Sequence, residues 1–158
     1  MDIASLFFIL SAKYLFIAII GIALAYLMLQ KRDVQKRMIV FAVLALPLTY
    51  LAAKILGFFF YYPRPFVTDG FTPLIAHVAD NGFPSDHTLI SAAIAAALWP
   101  FNKKVSIALW ALTIIVGFSR IYVGVHHGVD IIGSIVIAIT FAWLVQSVLE
   151  YTSVKRLS

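Results

Sequence analysis

Tyr14-Leu-Phe-Ile-Ala-Ile-Ile-Gly-Ile-Ala-Leu-Ala-Tyr-Leu-Met-Leu29, then Lys31-Arg32-Asp33-Val34-Gln35-Lys36-Arg37, then a second apolar run from Met38 to about Phe60: this stretch decides the fold. A helix needs about 20 apolar residues to cross the hydrocarbon core of a bilayer. The first run reaches that length when extended back to Ile3, with only Lys13 interrupting; the second reaches it while carrying Pro47 and Lys54. Two apolar runs joined by a short basic segment form a membrane hairpin, because Lys and Arg concentrate in cytoplasmic loops.

Working outward, three more runs appear: Thr88–Phe101, Val105 to about Val123, and Val129–Val148. The first of these is short, so its helix must start at or before Ser85 or begin below the membrane surface. The reading predicts an all-α integral membrane protein, a bundle of about five transmembrane helices forming a single domain over residues 1–158. The basic cluster follows the first run, and Asp2 is acidic, so no cleaved signal peptide is expected. Lys31, Arg32, Lys36, Arg37, Lys103, Lys104, Lys155 and Arg156 all fall in three alternate segments. With those segments inside, the N-terminus lies outside and the C-terminus inside.

Composition agrees. Hydrophobic residues make up 63% of the 158, charged residues 12%, and the mean hydropathy is +0.99. Soluble domains carry about 25% charged residues, and a chain this small cannot bury so much apolar surface in one aqueous core. That excludes an ordinary cytosolic domain, a disordered chain and a nucleic-acid-binding module. The net charge of +5 reflects basic residues placed between apolar runs. With no cysteine, disulfides, thiolate metal sites and cysteine nucleophiles are excluded.

Polar residues in such a chain are costly and mark functional candidates. They gather in three segments: Lys54 through Arg64-Pro65, Asn81-Gly-Phe-Pro84-Ser85-Asp86-His87-Thr88, and Ser119-Arg120 through His126-His127-Gly-Val-Asp130. His126 and Asp130 share a helix face at a spacing of four. A carboxylate there fixes the imidazole tautomer and frees the other ring nitrogen as base or nucleophile; the plainer alternative is an interfacial histidine beside a capping aspartate. Arg120 in an apolar helix calls for an anion, and a guanidinium suits phosphate. Ser85 reads as an N-cap at a helix start, where backbone N–H groups seat phosphate and His87 sits in the first turn. Arg64 stands between two prolines, a rigid setting near the surface. The predicted topology puts all three segments on the outer face.

These residues resemble the three-part signature of the type 2 phosphatidic acid phosphatase superfamily: Arg64-Pro65, Pro84-Ser85-Asp86-His87, and Ser119-Arg120-x5-His126-x3-Asp130. Pro63-Arg64-Pro65-Phe66 and Asp80 through Thr88 look most like its bacitracin-resistance-type undecaprenyl-diphosphatase branch. The resemblance implies a phosphatase without metal or other cofactor. His126 is then the nucleophile, Asp130 its orienting carboxylate, and His87 the general acid and base. Arg64, Arg120, Ser85 and Lys54 bind phosphate, with Asp86 and Ser119 as accessory candidates. Its partners are an isoprenoid lipid diphosphate and the bilayer, and no nucleic acid. It implies a multi-pass protein of the cytoplasmic membrane that recycles undecaprenyl phosphate, the lipid carrier of cell-wall peptidoglycan, at the outer face.

Two departures stand out. Asp86 replaces the common Gly, as the branch often does. Lys54 lies ten residues before Arg64 instead of seven, which turns it by about 80° on an ideal helix; either the chain leaves the helix near Pro63 and restores the reach, or Tyr61 or Tyr62 serves instead. His127 and His77 fall off the motif, His127 reading as a neighbour and His77 as interfacial. The alternatives are the same chemistry on phosphatidate or phosphatidylglycerol phosphate, and a metal-binding transporter using His77, His87, His126, His127 and Asp130.

Overall fold

The computed structural model describes residues 2–155. Arg156, one of the basic residues used for orientation, lies outside them. Six helices follow in order: α1 Ile3–Met28, α2 Arg32–Phe59, α3 Pro65–Thr68, α4 Asp86–Leu98, α5 Lys103–Tyr122 and α6 Gly128–Lys155. Four of them, α1, α2, α5 and α6, are long and apolar enough to cross a membrane. Their outward faces carry exposed apolar side chains such as Ile22, Leu51, Ile114 and Ile132, a lipid-facing pattern.

α4 differs from the expectation of a fifth full span over Thr88–Phe101. It is 13 residues long, about 20 Å at 1.5 Å per residue, and it starts at Asp86 and stops at Leu98. Its place is the interior: α1, α2, α5 and α6 all pack on it, whereas α1 scarcely touches α2 and α5 scarcely touches α6. The reason is in its side chains. Ala92, Ala93, Ala95, Ala96 and Ala97 are buried, and small residues let surrounding helices approach its backbone closely.

Helix ends follow local chemistry. Asp2 caps α1 by accepting the Ser5 N–H at 2.7 Å, and Asn102 caps α5 by accepting that of Val105 at 3.1 Å. α2 begins at Arg32, so most of the basic segment expected between spans forms its first turns. α5 ends where Gly124 takes φ +81°, a left-handed turn that favours glycine, and a Cβ there would run into the Phe71 ring. The chain then reverses through His126 into α6. The last turns of α2, the first of α4, the last of α5 and the first of α6 thus meet at one end of the bundle.

Candidate active site

Arg64 reaches this end because α2 stops at Phe59 and Phe60 is extended, with φ −120° and ψ 90°. The escape from the helix expected from the Lys54 spacing therefore occurs. Asn81 holds the extended segment in place. Its side-chain oxygen accepts from Tyr62 N at 2.9 Å and Phe83 N at 3.0 Å, while its amide donates to Gly57 O at 2.7 Å and Phe60 O at 3.1 Å. Gly82 N donates to Tyr62 O at 2.8 Å.

The Arg64 guanidinium is buried and almost fully engaged. Nε donates to Asp80 Oδ1 at 2.7 Å, Nη1 to Val125 O at 2.8 Å, and Nη2 to Asn81 O at 3.4 Å. Nη1 also lies 3.1 Å from His126 Nε2. A guanidinium only donates, so Nε2 must be the acceptor. The proton of the neutral ring then sits on Nδ1, which faces Asp130 Oδ2 at 3.3 Å. The same Asp130 oxygen accepts the His127 N–H at 2.8 Å. His126 is 2% exposed and Asp130 0%. Burial pushes the His126 imidazole down to about 4; the Asp130 hydrogen bond opposes this, and Arg120 and Arg64 add to it.

Arg120, at the end of α5, is buried with Nη1 3.3 Å from Ala12 O. Its Nε has no partner among the described residues. A buried guanidinium donor left open is costly until an anion or water takes it. His87, in the first turn of α4, lies within electrostatic reach of Arg120 and His126, and its ring meets Phe16 edge-on at 4.5 Å between centroids.

Ser85 stands at the N-cap position of α4, but its side chain makes no capping bond. Its hydroxyl accepts instead from Thr88 Oγ1 at 3.2 Å, and its carbonyl accepts from Ser134 Oγ at 3.0 Å. Ser134 also bonds Asp130 O at 2.7 Å, which ties the starts of α4 and α6 together. Asp86 pairs with Lys54, whose Nζ is 3.0 and 3.3 Å from its two carboxylate oxygens. Both side chains are about half exposed, at 49% and 54%. Lys54 thus has a partner at the mouth of the site. Ser119 donates to Ile115 O at 2.6 Å, one turn back on its own helix.

Two residues stand closer to the site than the sequence suggested. The His77 ring, read as interfacial, lies 6.3 Å from that of His126, and burial, then the Arg64 charge, lowers its pKa. Burial favours a raised Asp80 carboxyl, but its ion pair with Arg64 outweighs that and holds it below the usual range. No motif spacing marks His77; Asp80 and Asn81 carry a signal only in adjoining Gly82-Phe83-Pro84-Ser85. Among the described residues no three His, Asp or Glu side chains form a metal-holding group.

Residues 38–153 match the model of the PAP2 superfamily. The undecaprenyl-diphosphatase BcrC of Bacillus subtilis (strain 168) is 45% identical over 85 residues, 54% of this chain and 44% of that protein. The bacitracin transport permease protein BcrC of Bacillus licheniformis is 31% identical over 127 residues, 80% of this chain and 63% of that protein. The chain spans about half the length of the curated relatives it matches. The crystal structure of Aquifex aeolicus LpxE shares the fold, with a TM-score of 0.77 at 23% identity over 93% of this chain and 87% of that one.

Proposed function

Because the chain belongs to the PAP2 superfamily of lipid phosphatases, we propose that it hydrolyses undecaprenyl diphosphate to undecaprenyl phosphate through a phosphohistidine. The observation that carries this reading is the polarity of His126. Its lone pair on Nε2 faces the Arg64 guanidinium, and its Nδ1 proton faces Asp130. The proposed nucleophile and a cation suited to phosphate therefore stand 3.1 Å apart.

As the substrate enters, Arg64 Nη1 passes its hydrogen bond from His126 Nε2 to a phosphoryl oxygen, which frees the lone pair; Nε2 then attacks the terminal phosphorus, and the bridging P–O bond breaks. Its electron pair leaves on the lipid monophosphate, which His87 protonates. Water, deprotonated by His87, then attacks the phosphorus. The P–N bond breaks, inorganic phosphate departs and His126 is restored. Arg64 and the open Nε of Arg120 stabilise charge on the phosphoryl oxygens, with Ser85 and Lys54 at the margins. Asp130 balances the positive charge that His126 gains. The similarity to the undecaprenyl-diphosphatase BcrC of Bacillus subtilis supports the isoprenoid diphosphate over other lipid phosphates. A cation at His126 Nε2 would meet a guanidinium, which disfavours the metal-transport reading.

The same proposal sets the site at the outer face of the cytoplasmic membrane, with the N-terminus outside and the C-terminus inside. The basic segments around Lys31 and Lys103, at the opposite end of the bundle, support it. An impermeant label near Asp69 then reads as outside and one near Gln35 as inside.

Phosphate release from a panel of lipid mono- and diphosphates tests the function, using purified protein with and without chelator. Turnover of undecaprenyl diphosphate that survives the chelator is expected. Release from phosphatidate or phosphatidylglycerol phosphate alone would overturn the substrate, and no release from any lipid would overturn the phosphatase itself.

A further inference from the structure

At the end of the bundle away from His126, α5 and α6 both lean on α4 and leave a gap between themselves. It is a cavity of about 460 Å³. The chain has three tryptophans, and all three, Trp99, Trp110 and Trp143, line it. Gln146, Ser147 and Glu150 of α6 complete its polar side. No step proposed above uses any of them.

The chemistry of the lining selects a ligand class. Among the described lining residues the one charge is negative, at Glu150, and three indoles offer the electron-rich faces that attract cations. Trp99 already does so towards Lys103, whose Nζ lies 5.7 Å from the ring centroid. Gln146 Nε2 donates to Glu150 Oε1 at 2.8 Å, which orients the carboxylate and leaves Gln146 Oε1 as an acceptor. The Glu150 carboxylate, Gln146 Oε1 and the Ser147 hydroxyl thus supply three acceptors, one for each N–H of a primary ammonium. A quaternary ammonium has no N–H to use them, and an anionic headgroup would face Glu150. Ile139 and Ala142 carry the lining towards the middle of α6, where an acyl chain finds apolar surface, and Lys103 beside Trp99 suits a phosphodiester.

We infer that the gap between α5 and α6 is a binding site for a phospholipid with a primary ammonium headgroup, an ethanolamine phospholipid, separate from the site at His126. The ammonium sits against Glu150 among the indoles, and one acyl chain fills the space between the two helices. The lipid fills the space between two helices that scarcely touch.

The tryptophans report on their own cavity. The full chain is placed in lipid nanodiscs, and small, equal mole fractions of brominated-acyl phosphatidylethanolamine, phosphatidylcholine or phosphatidylglycerol are added. Bromine quenches indole emission at close range. The ethanolamine lipid should reach half-quenching at about one-fifth the mole fraction of the other two, the preference expected from one ammonium–carboxylate pair plus a cation–π contact. Glu150→Gln should remove that preference while leaving the unquenched emission and the turnover of lipid phosphates unchanged. Equal quenching by the three headgroups, strongest quenching by phosphatidylglycerol, or an undiminished preference in Glu150→Gln would each overturn the inference.

Discussion

Arg64 Nη1 stands 3.1 Å from His126 Nε2. A donor that cannot accept, placed against a ring nitrogen, dictates which nitrogen carries the lone pair. The carboxylate of Asp130 on the other side of the ring asks for the same tautomer. The two elements that supply these groups, the extended chain after α2 and the turn before α6, are joined through Arg64 to Val125 O.

Replacing His126 or the carboxylate that faces its Nδ1 separates chemistry from folding. His126→Ala should abolish turnover and phosphoenzyme formation while the protein still purifies as a folded monodisperse species. Asp130→Asn should leave weak activity, with kcat down about 10⁴-fold, because an amide at Nδ1 favours the wrong tautomer. Near-wild-type turnover by His126→Ala in a single-turnover assay would remove the nucleophile assignment.

Asn81 tests whether Arg64 needs its scaffold. Asn81→Ala deletes four hydrogen bonds to backbone groups of residues 57–62 and 83. At about 0.5–1.5 kcal/mol each, the loss is roughly 2–6 kcal/mol of stability. Activity should fall as well, about 10²-fold in kcat at a temperature where the variant is still folded. A variant that loses stability but keeps kcat would show that Arg64 finds its place without this clamp.

The pattern of what the sequence revealed follows from this geometry. Residues paired at short spacing, such as His126 with Asp130, are legible because a helix turn sets their distance. Arg64 and Arg120 are legible because charge in an apolar run demands an explanation. Asn81 is not, because its partners lie up to 24 residues away and its work is to satisfy backbone groups. His77 is hidden for the same reason: only the fold of the chain between α3 and α4 brings it over His126. Ser85 is legible as a helix start, but not the choice of its hydroxyl for Thr88, which depends on burial. α4 shows how an apolar run is ambiguous between a span and a buried core helix. Its alanines, with no bulky lipid-facing side chain among them, are the clue that it is interior.

The Lys54–Asp86 pair is half exposed, so its contribution to stability should stay below about 1 kcal/mol. Lys54→Ala should therefore barely move the thermal midpoint. Its effect should appear in kinetics, as a rise in KM larger than the fall in kcat, since Lys54 sits at the mouth and not at the nucleophile. Arg64→Ala should instead cost mainly kcat. Unchanged kinetics in Lys54→Ala would confine the lysine to pairing with Asp86.

The pH dependence has a definite sign. His126 is pushed from 6.5 down to about 4, burial being the first cause. A histidine kept neutral in the fold contributes stability that is complete above the unfolded value and is lost as pH falls through the folded one. The thermal midpoint should thus decline between pH 6.5 and about 4. His126→Gln should flatten part of that decline. A decline of the same size in both proteins would assign the titration elsewhere, with His87 and then His77 the next groups to examine.

Substrate preference follows from where the cations stand. On the proposed function, Arg64 and the open Nε of Arg120 would serve one phosphoryl group at His126. Lys54 is engaged separately, with Asp86 and, at 5.0 Å, with the Tyr50 ring. Tyr50 also lines an apolar groove of about 450 Å³ between α1, α2 and α4, walled by Ile20, Leu46, Leu89 and Ala93. A lipid whose tail occupies that groove passes Lys54 before its headgroup reaches His126. A diphosphate can then place its lipid-side phosphate at Lys54 and its terminal phosphate at His126, whereas a monoester fills only one position. One further charge-assisted hydrogen bond corresponds to about tenfold or more. The leaving group adds to this, since a lipid monophosphate departs more readily than an alkoxide and asks less protonation of His87. The kcat/KM for a prenyl diphosphate should therefore exceed that for phosphatidate by at least about tenfold. In Lys54→Ala the gap should narrow, because the second phosphate loses its partner. Rapid-quench analysis should find the lipid monophosphate as first product with the terminal phosphate on histidine. Equal or better hydrolysis of phosphatidate would sink the diphosphate assignment and leave the histidine chemistry standing.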